Sequence, residues 1–217
     1  MNKKIQITIQ ILFLSLFIVL FTMSRIQLWM LVFLVGVLLS PFFSRLYCGY
    51  ACPINTAMKP ISYTKRKFKI KSIPIPVFFK KKWVRYLVFA LFIASFIVTQ
   101  ITGNQLPILP SLFLAGILVA LLFGESFFHR HMCPYGTILS FTAKRAKKTV
   151  EIDESKCISC GKCENVCPSD AVHHEGKRYF IEPKECLTCG ECIRNCPVNT
   201  IDYAYRNKKV HYGLFLF

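Results

Sequence analysis

Eight of the eleven cysteines fall in two copies of one run, C-x2-C-x2-C-x3-C-P. The first copy is Cys157, Cys160, Cys163, Cys167 and Pro168, and the second is Cys186, Cys189, Cys192, Cys196 and Pro197. Thiolates at two-residue gaps can wrap one face of an iron–sulfur cubane, leaving backbone amides free to hydrogen-bond its sulfides. Zinc ribbons favour two separated C-x2-C pairs, not four cysteines in one tight run, so the spacing points to clusters. The other three cysteines stand apart. Cys48 and Cys52 lie in RLYCGYACP, and Cys133 lies in FFHRHMCPYG with His129 four residues before it. An i, i+4 pair shares one face of a helical turn. Two such pairs packed together could bring Cys48, Cys52, Cys133 and His129 to one centre, with ligands enough for a cubane or a tetrahedral metal. Two other readings stay open: packing cysteines with His129 and His131 at an interface, or a redox-active dithiol at Cys48 and Cys52.

Both groups of motifs sit in internal repeats. A shift of 29 residues lays VEIDESKCISCGKCENVCPSDAV on FIEPKECLTCGECIRNCPVNTI, matching Cys157 to Cys186 and Cys167 to Cys196. Short strands are expected to flank each half, with a short helix after Gly161 and after Gly190. A shift of 81 residues matches Cys52-Pro53 to Cys133-Pro134 and Thr56 to Thr137. Each half of that longer repeat reads as an apolar hairpin followed by its motif and then a basic stretch.

The elements that must position these motifs are apolar helices. Four stretches approach the roughly 20 residues that cross a bilayer core: Ile5–Thr22, Gln27–Phe43, Val84–Ile101 and Ser111–Phe128. The first has no small-residue cleavage site and reads as a retained span, not a signal peptide. Hydrophobic residues make up 53% of the chain and its mean hydropathy is +0.42, which excludes a wholly soluble enzyme. The net charge is +17, and residues 1–150 carry 19 Lys/Arg against the single acid Glu125. That basic excess belongs to loops beside an anionic leaflet, and no nucleic-acid footprint is read from it. Ten Lys/Arg lie between Arg45 and Lys82, and none in the turn 102–110. The positive-inside rule therefore predicts both termini and the central loop in the cytoplasm. Trp29, Trp83 and Tyr86 are expected at the interfaces, and the basic segment Thr64–Pro76 is expected to lie loosely on the membrane surface.

The doubled cysteine run resembles that of bacterial two-cluster ferredoxins, which implies crossed ligation. One [4Fe–4S] site is then Cys157, Cys160, Cys163 and Cys196, and the other is Cys186, Cys189, Cys192 and Cys167. Two hairpins, each followed by a CxxxCP-type motif and then by this tail, resemble the NapH-type (NosR- and CcoG-like) membrane ferredoxins over residues 1–205. His129 departs from that pattern, standing where the first Cys of the second motif is expected. The fold class this implies is a bundle of four transmembrane helices (residues 1–148) followed by an α+β dicluster ferredoxin domain (149–205) and a tail (206–217). The implied function is single-electron relay between a cytoplasmic partner and the quinone pool or a membrane reductase partner. The alternative is a maturation or metal-handling factor that reduces a client. No C-x-x-C-H and no G-x-G-x-x-G occurs, so neither c-type haem nor a dinucleotide domain is expected, and the chain reads as an electron-transfer subunit and not a substrate-converting enzyme.

Overall fold

The computed structural model describes residues 2–70, 72–74, 79, 82–102, 108–176 and 178–206. Residues 207–217, residues 103–107 and, in the basic segment 64–76, residues 71, 75 and 76 lie outside the described residues. Four long apolar helices form the bundle: α1 (Lys3–Thr22), α2 (Trp29–Phe43), α5 (Lys82–Thr102) and α6 (Ile108–Leu122), with α3 (Leu46–Tyr50) and α4 (Pro53–Lys67) between α2 and α5. Two of the four, Lys3–Thr22 and Ile26–Phe43 (α2 with its leading turn), are long and apolar enough to cross a membrane; the apolar parts of the others, Trp83–Thr99 and Ile108–Leu122, are shorter. All four turn large apolar side chains outward, among them Leu12, Leu38, Leu91 and Leu114. The fourth apolar stretch stops sooner than its composition suggests. Gly124 takes φ +98 and ends the run, so Glu125–Phe127 form a separate short helix, α7, followed by a π-helical turn at Phe128–Met132.

The longer repeat is visible as packing. Helix α4 lies against α1 of its own half and α6 of the other, while α8 (Pro134–Ala143) lies against α5 of its own half and α2 of the other. Each motif helix thus closes the opposite hairpin. Neither motif stands at a helix end in the simple sense that the spacing suggests. Ser44 adopts φ 60 after α2, and the chain turns back so that Tyr47 packs on Gly36. Gly36 is seven residues before the end of α2, a setback of about 10 Å at 1.5 Å per residue. Phe128 meets Gly116 of α6 in the matching way. Trp29 is not interfacial: it is fully buried and donates from Nε1 to the Tyr47 hydroxyl at 2.8 Å. Trp83 and Tyr86 are exposed. The first part of the basic segment is not a loose surface loop, because α4 runs on through Lys67 and Lys65 Nζ donates to the carbonyls of Ala120 and Leu121.

Strand β1 (Lys148–Ile152) begins five residues after α8 ends. The connection is fixed, with Ala146 buried and the Lys147 amide donating to the Pro41 carbonyl. Strand β1 pairs antiparallel with β4 (Ile201–Tyr205), in register from Lys148–Tyr205 to Ile152–Ile201. Strands β2 (Val172–Glu175) and β3 (Arg178–Ile181) form a hairpin between them. The short helices α9 (Lys162–Asn165) and α10 (Glu191–Asn195) start after Gly161 and Gly190, as the repeat predicts.

Candidate metal centres

The 29-residue repeat is carried by the backbone as well as the cysteines. Ser159 and Thr188, Gly161 and Gly190, and Asp170 and Asn199 are three matched pairs with positive φ. Residues alternating between right- and left-handed conformations turn successive N–H groups into a concavity, which suits an anionic cluster. Two cavities result. One is lined by Cys157, Cys160, Cys163 and Cys196, together with Ile152 and Tyr179. The other is lined by Cys186, Cys189, Cys192 and Cys167, together with Leu187 and Val172. Donors already point at the sulfurs: the Ala171 amide at Cys167 Sγ (3.2 Å) and the Thr188 amide at Cys186 Sγ (3.4 Å). Burial pushes Cys186 and Cys189 up to about 12, so a metal must displace their protons to make them thiolates. Cys196 falls below its ordinary value, since bonds from the Thr200 hydroxyl and amide outweigh its slight burial. Among the described residues no three His, Cys, Asp or Glu side chains converge on a single-ion position. The thiols instead surround cavities, and these donor sets fit iron–sulfur clusters.

The two cavities differ in where they face. In the first, Cys160 and the neighbouring Ile158 are exposed. In the second, Cys186, Cys189 and Cys192 are buried, and Cys189 and Leu187 belong to the same apolar core as Cys48, Cys52, Cys133 and Leu139. The second site therefore abuts the bundle through Leu187 and Cys189, while Cys186 and Cys192 pack in the core of the ferredoxin domain. Polar contacts lock it there. Gln6 Nε2 donates to the carbonyls of Cys189 (3.0 Å) and Gly49 (3.1 Å), and Gln10 Nε2 donates to Gly49 O at 2.6 Å. Arg194 bonds Gln6 Oε1 and Cys189 O. On the other side Arg45 Nη1 donates to the carbonyls of Lys184 and Glu185, and Arg85 Nη1 reaches Glu185 Oε1 at 2.7 Å.

The four remaining candidate ligands are all buried: His129 at 3% exposure, Cys48 at 5%, Cys52 and Cys133 at 6%. Their local geometry corrects the expected single helical turn. Helix α3 ends at Tyr50, and Cys52 is extended (φ −70, ψ 116) as the N-cap of α4; Cys133 is the equivalent N-cap of α8 (φ −79, ψ 108). Pro53 and Pro134 impose this, because proline disfavours a helical residue before it and suits the first helical position. Cys48 and His129 come from the preceding turns, so the pairs are matched between halves, but not as i, i+4 neighbours of one helix. His131 instead packs its ring against Phe127 at 5.6 Å. Burial, aided by Arg45, pushes His129 down to about 3, so its imidazole is neutral. Burial also pushes Cys133 up to about 11.

Sequence reasoning missed Arg45, Arg85 and Glu185, which join tail to bundle, and Gly49, whose backbone the tail touches. It had one usable signal in α1. Gln6 and Gln10 are the two amide side chains of α1, four apart and so on one face of a mostly apolar helix.

A family model described as a 4Fe-4S dicluster domain matches residues 150–203. Another, described as a 4Fe-4S binding domain, matches residues 26–71 and 105–151, one stretch in each half of the bundle. An uncharacterized protein of Methanocaldococcus jannaschii is 29% identical over 140 residues, covering 62% of this chain and 56% of its own. The ferredoxin-type protein NapH of Haemophilus influenzae is 26% identical over 148 residues (59% of this chain, 49% of its own). The methylamine utilization ferredoxin-type protein MauN of Methylobacillus flagellatus is 25% identical over 149 residues (60% and 50%). The chain thus matches about half the length of these curated relatives.

Proposed function

We propose that the chain is a NapH-like ferredoxin-type iron–sulfur protein, as its similarity to NapH and MauN and the two 4Fe-4S family models support, and that it is a multi-pass membrane protein relaying single electrons between a cytoplasmic redox partner and the quinone pool or a membrane reductase. The observation that carries this reading is the pair of cysteine-lined cavities, one with its Cys160 exposed and one whose Leu187 and Cys189 pack against the bundle core. Cys157, Cys160, Cys163 and Cys196 hold the outer [4Fe–4S] cluster, and Cys186, Cys189, Cys192 and Cys167 hold the inner one. Such clusters supply one-electron chemistry at potentials tuned by hydrogen bonds and exposure. Ile158 and Cys160 present the outer site to a soluble partner. Arg45, Arg85, Gln6 and Arg194 fix the inner site against the bundle.

The membrane placement rests on two features. Apolar side chains cover the outer faces of all four long helices, and Lys/Arg gather on the loops beside the motifs. Both termini and the ferredoxin domain then face the cytoplasm. Reporter fusions after Gly103 and after Phe217 should read opposite compartments, and identical readings would overturn the four-span arrangement.

The relay itself is tested with full-length protein purified without oxygen in detergent. Dithionite should produce reduced-cluster EPR signals, and a short-chain quinone should reoxidise them in the membrane-embedded protein. Clusters that form but are never reoxidised by quinone would redirect the reading to a protein acceptor, as in metal handling or maturation of a client. Bound zinc without sulfide would overturn the cluster assignment.

A further inference from the structure

The two tail sites differ in their charges as well as in their exposure. Among the described residues, Arg45 and Glu185 are the only buried Lys, Arg, Asp or Glu, and both stand beside the inner site. Arg45 has 0% side-chain exposure, Arg85 14%, and Glu185, their shared carboxylate, 10%. Arg85 Nη1 holds Glu185 Oε1 at 2.7 Å, whereas Arg45 Nη1 is 3.8 Å from Oε2. Arg85 also donates to Thr137, Ser140 and the Gly136 carbonyl, so its fork is filled. Arg45 uses only Nη1, on the carbonyls of Lys184 (3.2 Å) and Glu185 (3.3 Å), and its Nε and Nη2 have no hydrogen-bond partner among the described residues. One carboxylate cannot balance two guanidinium groups, and the surplus positive charge belongs to Arg45. Glu185 immediately precedes Cys186, and the Arg45 charge reaches the Cys186 sulfur, where it favours the thiolate. Lys59 acts likewise on Cys189, but it is partly exposed and faces Glu125 and Glu191. At the outer site the one cation among the lining residues, Lys162, is exposed and shares its short helix with Glu164. Water and salt screen such a charge far more than a buried one.

Reduction adds one negative charge to a site that four thiolates already make anionic. Burial opposes that step, because a low-dielectric surrounding disfavours the more highly charged form. The inner site is the more buried of the two: Cys186, Cys189 and Cys192 are buried, whereas Cys160 of the outer site is exposed. On burial alone, an electron is held at the outer site. A guanidinium with no counter-charge of its own acts in the opposite sense, and its attraction is largest where water is excluded.

We propose that Arg45 is the buried counter-charge for an electron on the inner tail site, and that its surplus charge draws the electron inward. One electron leaves the outer site, which is oxidised, and reduces the inner one. The inference deepens the relay reading and rests on it for the two [4Fe–4S] clusters. Arg45 acts through space on the inner potential, as a positioning residue and not as a carrier of the electron.

The test is a redox titration of full-length protein purified without oxygen, followed by EPR, with the inner signal assigned as the one lost in Cys189→Ser. Arg45→Gln removes the charge and keeps an N–H donor. It should shift the one-electron equilibrium between the two sites at least tenfold toward the outer one, which is about 59 mV, all of it in the inner potential. Arg45→Lys keeps the charge but not the fork, and its inner potential should stay close to the wild type. Glu185→Gln enlarges the positive surplus and should raise the inner potential. A merely structural role would loosen docking in Arg45→Gln and Glu185→Gln alike and move both potentials the same way. Shifts of one sign, an unchanged inner potential in Arg45→Gln, or an outer potential that moves as far as the inner would therefore overturn the proposal. If Arg45→Gln does not assemble, Glu185→Gln decides: a raised inner potential supports the proposal, and an unchanged or lowered one refutes it. Opposed shifts in a protein that quinone never reoxidises would keep the role of Arg45 and overturn the quinone relay. A wild type with no inner signal would overturn the cluster assignment and this proposal together.

Discussion

Gly49 of the bundle lies directly against the backbone of the inner tail site. A methyl group there would stand 2.6 Å from the Leu187 carbonyl oxygen and 2.7 Å from that of Thr188. Ordinary contact begins at 3.4 Å, so the tail loop must retreat by about 0.8 Å. Both obstacles are backbone atoms, and no rotamer change relieves them. Intrinsic propensity argues the other way, since Ala favours a helix over Gly by about 1 kcal/mol, and Gly49 lies within α3. Overpacking a filled site costs about 1–3 kcal/mol, and the retreat also strains the Gln6 bonds that bridge Gly49 O and Cys189 O. We therefore expect Gly49→Ala to loosen tail docking by a net penalty of up to about 2 kcal/mol, or up to about 30-fold in the opening equilibrium. Hydrogen exchange on the full-length protein reads this directly. Amides of residues 184–190 should exchange faster in the variant, while those of residues 157–161, at the outer site, should not change. Equal acceleration at both sites would mean general destabilisation. Unchanged or slower exchange at 184–190 would mean that the loop does not dock as described.

Three further outcomes follow from the same contacts. Cys167→Ser should abolish the EPR signal of the inner site, formed with the second cysteine run, and spare the site of its own run; loss of the outer signal instead would refute crossed ligation. Glu185→Gln removes the one carboxylate shared by Arg45 and Arg85 and should cost about 3–5 kcal/mol, seen as tail proteolysis at lower denaturant; wild-type resistance would show the ion cluster to be dispensable. Burial, helped by Arg130, holds His173 below its ordinary 6.5. The unfolded chain then takes up the proton first as pH falls, so the tail is fully stable above about 6.5 and weakens below it. Imidazole NMR should show His173 titrating below 6.5, moving upward in Arg130→Gln, and titration at or above 6.5 in the wild type would contradict this.

The tail sites were legible because their information is local. Two-residue gaps, a following proline and a glycine before each short helix act within about ten residues, and the repeat states them twice. The left-handed residues at Ser159 and Thr188 were not legible, because no glycine marks them; closing the thiols around a cavity forces them. In the bundle, spacing alone suggested one helical turn for Cys48 and Cys52. Pro53 breaks that turn, and its effect on the preceding residue could have been foreseen. The fourth apolar stretch was over-extended because hydropathy does not register the φ of Gly124. Arg45 shows the deeper limit. Counted by sequence it is one of ten basic residues in the segment 45–82, yet its carboxylate and carbonyl partners lie about 140 positions away. A charge's burial is a tertiary property, and no local pattern carries it.

The short connection from α8 to β1 has a kinetic meaning. Ala146 is buried and the Lys147 amide is bonded to Pro41 O, so the ferredoxin domain is no swinging arm. In the proposed relay, any transfer out of its inner site toward the bundle would cross a fixed gap, first order and insensitive to solvent viscosity or protein concentration. In that relay only the exposed outer site would meet a partner by diffusion, so that encounter is the step that ionic strength and crowding would govern.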